Sequence, residues 1–447
     1  MAIADFPTSL QPIIQQNMLQ REFKDALVSK LGYRDIAERT QIPVRIGQTL
    51  TLTRAGLKGP VTTPANPANN TNIDNGMTSS TWSVEQYTIG INQYNDTIDL
   101  NIVTEKVGLA SQAIQNAKVN AIQAKQTLDQ LAQAALFQTY CGGNTIVRVT
   151  LSAASTTVSV DNVLGFMAAP VDGVMQPVSS TNPISVTIGS DVYTCIGATM
   201  DSSNNSALIS PGGGSLYYGW SGVLTLSTAV TVADGTLGNQ VVMGNAPTVL
   251  RPSAVQTWYG LTSANVLTLS TLLQARSILK NNNVPTFPGG YYRVLLNSTS
   301  MTQLFSDQQF EWMFRGEYKS SEMQSGQIVR LLGMEFMENT ESFAQANGSV
   351  NIQRPIMVGA GALIEGDFAG MAAEFRGAGD TEGEVHEVDG IVQVIRAPLD
   401  RLKQIIAQSW YSIVGFAVPT DITATKQIIP TSNGSYWKRG VLIEHGS

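Results

Sequence analysis

The sequence predicts an α+β protein: a mixed sheet-and-helix body that carries a long hairpin arm and an inserted all-β domain. Three observations lead there. Residues 40–101 read as two strands flanking a polar tip, and residues 102–143 as one unbroken helical segment. Residues 144–252 then switch to short β-type runs with no Lys and no Glu.

Residues 1–39 form a lead in which Phe23, Ala26, Leu27 and Leu31 recur at helical spacing before Gly32 ends the pattern. The arm follows. Ile42 to Thr53 alternates apolar and polar like a half-exposed strand, and Trp82 to Ile91 does the same on the way back. Between them Pro60 to Ser80 is rich in Pro, Asn, Thr and Gly. A hairpin with so polar a tip has nothing of its own to bury against, and isolated hairpins are marginal in water. The arm is therefore expected to lie across a neighbouring molecule. Its apolar residues Ile46, Leu50, Leu52, Leu57, Trp82, Val84, Tyr87 and Ile89 are then assembly residues that gain burial only there.

Behind the arm, Val103, Val107, Ala110, Ile114, Ala117, Ala121, Ala124, Leu128, Leu131 and Ala135 step by four and three. That spacing keeps one stripe on one face of a helix, which at 1.5 Å per residue would run roughly 50 Å. The other face carries Gln112, Gln115, Asn116, Gln123, Gln126, Gln130 and Gln133. A two-stranded coiled coil would want Leu or Ile at the seam and charged flanks. Here many seam residues are Ala, so a spine packed closely on a sheet fits better than a coiled coil.

In residues 144–252 only Arg148, Arg251 and five Asp carry charge. Strands are expected at Val147–Leu151, Thr156–Val160, Ile184–Ile188, Val223–Leu226 and Ala229–Val232, with turns at Asp172-Gly173, Pro211 to Gly214 and Asp234-Gly235. Helical patterning on both sides marks the region as an insertion. In residues 253–447 a helix is expected over Ser263–Leu279, a strand over Tyr292–Leu296, and a short helix capped by Asn297. Further strands are expected at Gly333–Met337, Pro355–Val358, Ile391–Ile395, Ser409–Val418 and Val441–Glu444.

Charged residues are 14 % of the chain, against about a quarter in ordinary proteins, and the net charge is −7. Interface cores are depleted in Lys, Glu and Asp, so a chain whose surface is mostly contact area has this composition. No Lys/Arg cluster marks a phosphate-neutralising surface. Cys141 and Cys195 are the only cysteines and form no C-x-x-C pair. Met1 to Pro7 lacks the charged and apolar regions of a signal peptide, and Ile405 to Val418 is too short to span a bilayer. No residues are singled out as catalytic, cofactor-binding or metal-binding. Pro211 to Ser215 has no following Lys and is a turn, not a phosphate loop. Glu382, Glu384 and His386 alternate in the acidic run Glu374–Asp389, but without calcium-loop spacing they read as a solvated hairpin.

The order of parts resembles the tailed-phage major capsid proteins of the HK97-like fold. The likeness is carried by Arg45-Ile46-Gly47-Gln48-Thr49-Leu50-Thr51-Leu52-Thr53-Arg54, by Glu85-Gln86-Tyr87, and by Leu332 to Thr340. The resemblance implies that residues 1–39 are an N-terminal arm and 40–101 the E-loop hairpin. It implies the spine helix of the peripheral domain at 102–143, an inserted β domain at 144–252, and the axial domain with the rest of the peripheral domain at 253–447. It further implies a structural protein, not an enzyme, with no cofactor, made in the host cytoplasm and located in the virion. Copies of the chain would form pentamers and hexamers of an icosahedral shell around double-stranded DNA, without sequence-specific contacts and without a membrane. A portal and a decoration or cement protein are implied partners. The lead is shorter than the scaffolding region some relatives carry, which points to a separate scaffolding protein. Lys58 is the only arm lysine; some such shells crosslink an arm lysine, but no partner is identified here and non-covalent reinforcement is expected. The competing reading is a tail or surface-layer adhesion protein with a β-rich binding domain.

Overall fold

A computed structural model describes residues 32–41, 49–55, 84–101, 112–171, 174–208, 216–244, 246–310, 330–367, 383–396, 401–402, 404–419 and 439–447. The chain divides into two compact units. One is drawn from Met1–Leu50, Thr88–Gln133 and Leu363–Ala417, the other from Thr51–Tyr87, Ala134–Ala362 and Val418–Ser447. The predicted lead helix, the arm tip and residues 102–111 lie outside the described residues.

The chain enters through strand β1 (Glu38–Gln41) and then β2 (Thr49–Ala55), β3 (Val84–Gly90) and β4 (Asn92–Asn101). Helix α1 follows over Gln112–Tyr140, 29 residues without Gly or Pro. It is about 43 Å long at 1.5 Å per residue. It stops at Gly142-Gly143, where Gly143 takes φ 72°, a left-handed value natural to glycine at a helix end. Ala117, Ala121, Ala124 and Leu128 are fully buried, as the sequence predicts; Ala113 is buried where the pattern puts Ile114, and Ile114, Leu131 and Ala135 are half-buried. Gln133, expected on the polar face, is buried too, because the last turns of α1 are enclosed nearly all round.

Eight strands come next: β5 (Asn144–Ile146), β6 (Ser155–Val160), β7 (Ala168–Val171), β8 (Val174–Pro177), β9 (Ile184–Ile188), β10 (Asp191–Met200), β11 (Gly222–Val230) and β12 (Gln240–Met243). Six of them form one antiparallel sheet in the order β5-β12-β9-β10-β11-β6. An antiparallel bridge from Val147 to Val160 joins its two ends. The Arg148 N–H donates to the Ser159 carbonyl (2.9 Å) and the Asp161 N–H to that of Ile146 (3.1 Å) beside it. The sheet is thus a closed barrel, the arrangement that removes free strand edges. Its own core includes Val158, Val160, Phe166, Val186, Ile188, Leu224 and Val241. Val147–Leu151 is not the strand expected from sequence: only Val147 joins the ladder, and the pairing strand lies just before it. Val223–Leu226 and Ala229–Val232 merge into β11, whose register slips between Thr225 and Val230.

The remaining elements are β13 (Val249–Leu250), helix α2 (Leu269–Asn281), β14 (Tyr292–Leu296), helix α3 (Ser298–Phe305), β15 (Arg330–Leu331), β16 (Met334–Glu338), β17 (Ala344–Asn347), β18 (Val350–Gln353) and β19 (Ile356–Val358). After these come β20 (Ile364–Asp367), β21 (Gly383–Val388), β22 (Ile391–Arg396), β23 (Ile405–Ala417), β24 (Gly440–Ile443) and β25 (His445–Gly446). In the second unit a mixed sheet runs β13-β24-β19-β14-β16-β15. Helix α2 starts at Leu269, six residues after the expected Ser263, where the Thr268 hydroxyl caps it, and α3 is capped by Asn297, which accepts from the Ser300 N–H. Both helices bury apolar faces against the sheet through Leu272, Ala275, Leu279 and Leu304.

The first unit is built around β23, 13 residues long. Val414 pairs with Asn92 of β4 and with Asp367 of β20, and Tyr411 with Asn95 of β4 and Val392 of β22. So β4 takes one edge of β23, while β20 and β22 share the other. Residues 92–101, assigned from sequence to the arm, are therefore a ten-residue strand of this sheet. Ala121, Ala124 and Leu128 of α1 pack on Ile391, Trp410 and Val414. The spine lies on a sheet, and its alanines let it approach closely.

Candidate functional site

The described part of the arm is its root. Among the described residues β2 and β3 pair only with each other, as a two-stranded ribbon that is no part of the larger sheets. In β2, Thr49 and Thr51 are exposed while Leu50 and Leu52 are half-buried, so alternation holds the leucines on one face. On the return, Tyr87 is half-buried. Val84 lies in β3; Ile46, Leu57 and Trp82 lie outside the described residues. Ile89 corrects the sequence reading. It is fully buried within the single chain, so its burial does not wait for a neighbour. Its side chain sits against Gly415, where an added Cβ would come 2.1 Å from the Gly90 carbonyl oxygen and 3.0 Å from Ile89. The backbones meet there because β23 has no side chain at that point.

Close by in sequence to the arm, residues 32–41 are pinned by buried charge. One Asp129 carboxylate oxygen accepts from the N–H groups of Gly32 (3.2 Å), Tyr33 (2.8 Å) and Arg34 (3.0 Å). Arg34 donates to Glu365 through Nε (2.9 Å) and Nη2 (2.7 Å), and to Asp389 through Nη1 (3.1 Å). Arg39 reaches the other Asp389 oxygen at 2.5 Å. Burial pushes the Asp389 carboxyl up, but Arg39 and Arg34 outweigh it and hold it below the usual range. In the second unit Glu444 sits between Arg251 (2.7 Å) and Arg354 (2.9 Å). Burial again pushes this carboxyl up, and the two guanidiniums hold it down. Sequence reading missed both knots. Arg34 and Glu365 are 331 positions apart, and no local pattern announces such a pair.

One contact has the look of chemistry. Ser300 Oγ lies 2.8 Å from His445 Nε2, as a nucleophile lies against its base. Both residues have no exposed surface, and burial pulls the imidazole down to about 4, too acidic for a base at neutral pH. Its other nitrogen faces the Gly446 carbonyl (3.3 Å), not a carboxylate. The pair is a packed hydrogen bond. Burial likewise pushes the Cys141 thiol up to about 12. Strand β21 does place Glu384 and His386 two residues apart, while Glu382 lies outside the described residues. Among the described residues no cluster of His, Cys, Asp and Glu could hold a metal ion. No described helix is long and apolar enough to cross a membrane.

No family model matches the chain, and no curated protein matches it. Solved structures do. The chain is similar to the capsid of the cyanophage P-SCSP1u at 10 % identity, over 93 % of this chain and 88 % of that one, with a TM-score of 0.46. It is similar to the capsid of Ralstonia phage GP4 at 9 % identity, over 92 % and 87 %, with a TM-score of 0.47. The capsid of cyanophage Pam1 matches at 10 % identity, over 90 % and 86 %, with a TM-score of 0.45. These three structures are capsids of phages.

Proposed function

We propose that this chain is the major capsid subunit of a tailed bacteriophage, forming pentamers and hexamers of an icosahedral shell around double-stranded DNA. The observation that carries the reading is the ribbon β2–β3. It has no third strand among the described residues, yet it holds Leu50, Leu52 and Tyr87 only half-buried. Such a ribbon gains its missing burial from another molecule. The charge distribution supports this: in a chain with 14 % charged residues, Arg34, Glu365, Arg354 and Glu444 are spent inside, which leaves the outside suited to contact. A separate scaffolding protein, a portal and a decoration protein complete the proposal, with DNA held without sequence reading.

Trp82→Ala tests it. Large aromatics are the commonest interface anchors, and each lost contact costs on the order of 2 kcal/mol. The isolated subunit should melt as the parent does, while particle yield collapses, because a shell repeats the loss at every contact. A destabilised monomer whose survivors assemble normally would make the arm ordinary core. Imaging the purified assemblies decides the wider question: flat lattices or discrete oligomers would favour the tail or surface-layer reading instead.

A further inference from the structure

One buried group of charges in the second unit has donors left over. Arg354 is 1 % exposed. It donates to Glu444 through Nε (2.9 Å) and to Gln345 Oε1 through Nη2, and its guanidinium lies over the Phe343 ring, 4.8 Å from the centre. Its Nη1 is enclosed and meets no acceptor among the described residues. The same is true of Nε2 of Gln345, itself 3 % exposed. Turning the Gln345 amide over brings no relief, because Arg354 has only donors to offer and holds the amide oxygen towards itself. Two unmet N–H groups therefore hang from the two ends of one hydrogen bond. Buried donors are almost always met, so a pair of unmet ones calls for a ligand.

The chemistry of the group selects what meets them. Both Glu444 oxygens already accept, one from Arg354 and one from Arg251 (2.7 Å), and Gln345 Oε1 is taken, so no acceptor of the group is unmet. Arg251 spends its other nitrogens on Asn144 Oδ1 (3.1 Å) and the Gln256 carbonyl (2.5 Å). Two guanidiniums thus share one carboxylate, and the unmatched charge falls on the Nη1 side of Arg354. Asp161 feels Arg354 but is bonded elsewhere, to the Ala207 N–H (2.9 Å) and the Ser206 hydroxyl (3.3 Å), and burial keeps the Cys141 thiol neutral. Water accepts from two donors, but it brings two protons for which this group has no free acceptor. A cation is repelled. A small anion answers both needs: it accepts from two N–H groups and supplies negative charge. We propose that Arg354 Nη1 and Gln345 Nε2 hold a buried halide-sized anion, chloride in ordinary buffers. The site lies within one chain and does not depend on assembly.

Thermal unfolding of the full chain, followed by tryptophan fluorescence, tests the site when chloride replaces gluconate at constant ionic strength. The parent should gain roughly 2–4 °C in melting temperature as chloride rises to saturation. Gln345→Glu sets a carboxylate beside Arg354 and supplies the missing charge from within. It should melt above the parent without chloride and respond to chloride not at all. Gln345→Met removes one of the two donors and should need more chloride for the same gain, and it keeps the test alive if Gln345→Glu does not fold. A parent melt that ignores chloride would overturn the site and leave the donors to water. A chloride gain that persists unchanged in either folded variant would overturn it too, because the ion would then be acting elsewhere.

Discussion

Acidification should strike this protein through His445. The imidazole is enclosed, with Nε2 against the Ser300 hydroxyl, and burial pulls its proton affinity from the ordinary 6.5 down to about 4. The unfolded chain takes up a proton near pH 6.5, and the folded chain resists it until about pH 4. The stabilisation is therefore complete above pH 6.5, falls away between 6.5 and 4, and is gone below. The gap of about two to three pH units, at about 1.4 kcal/mol each, comes to roughly 3 kcal/mol, most of which is lost by pH 4.5. His445→Gln keeps an amide that can meet Ser300 and removes the titration. Chemical denaturation of dissociated subunits at pH 7 and pH 4.5, followed by tryptophan fluorescence, compares the two proteins. Carboxylates also titrate in this range, Asp161 with its affinity raised by burial, but they are common to both chains and cancel in the difference. If the parent loses no more stability than His445→Gln over this interval, the buried neutral imidazole is refuted.

Other outcomes follow from the packing. Ala121→Leu should cost about 1–3 kcal/mol in thermal unfolding, because Ala121 is enclosed against Ile391, Trp410 and Val414; a coiled-coil seam would instead gain from leucine. Asp129→Ala strands three N–H groups and should lower stability by about 1–3 kcal/mol or more, while Asp129→Asn, which keeps an acceptor, should lose less in the same denaturation series. Residues 143–247 expressed alone should give a β-type circular dichroism spectrum and a cooperative melt, since the barrel closes on its own core; a disordered product would show that it depends on the body.

Much of the fold was legible because its signals are local. Strand Tyr292–Leu296, the Asn297 cap and strand Ile184–Ile188 fall where their residues put them, and the alanine spacing of α1 names the face that meets the sheet. Errors arose where a distant partner decides. Asn92–Asn101 alternates as well as any arm strand, and only its pairing with Ile405–Val414 makes it part of a sheet. Gln133 is polar in sequence and buried in place, because its surroundings come from elsewhere in the chain. The same holds at the candidate site. The apolar alternation of Leu50 and Leu52 was visible, but Ile89 is enclosed by Gly415, more than three hundred positions away, which no period can reveal.

The pairing of the barrel's first strand with its last has a consequence for how such a chain can change. Its first strand and its last are hydrogen-bonded neighbours: Asn144 faces Val242 across the ladder. Cα atoms paired in this way lie about 5 Å apart, a gap that a two-residue turn spans. The two ends of the segment between them thus lie side by side, so that a short turn can take its place. Excising residues between Asn144 and Val242 in favour of such a turn should leave the rest of the unit folded, and a circular dichroism melt of the shortened chain checks it.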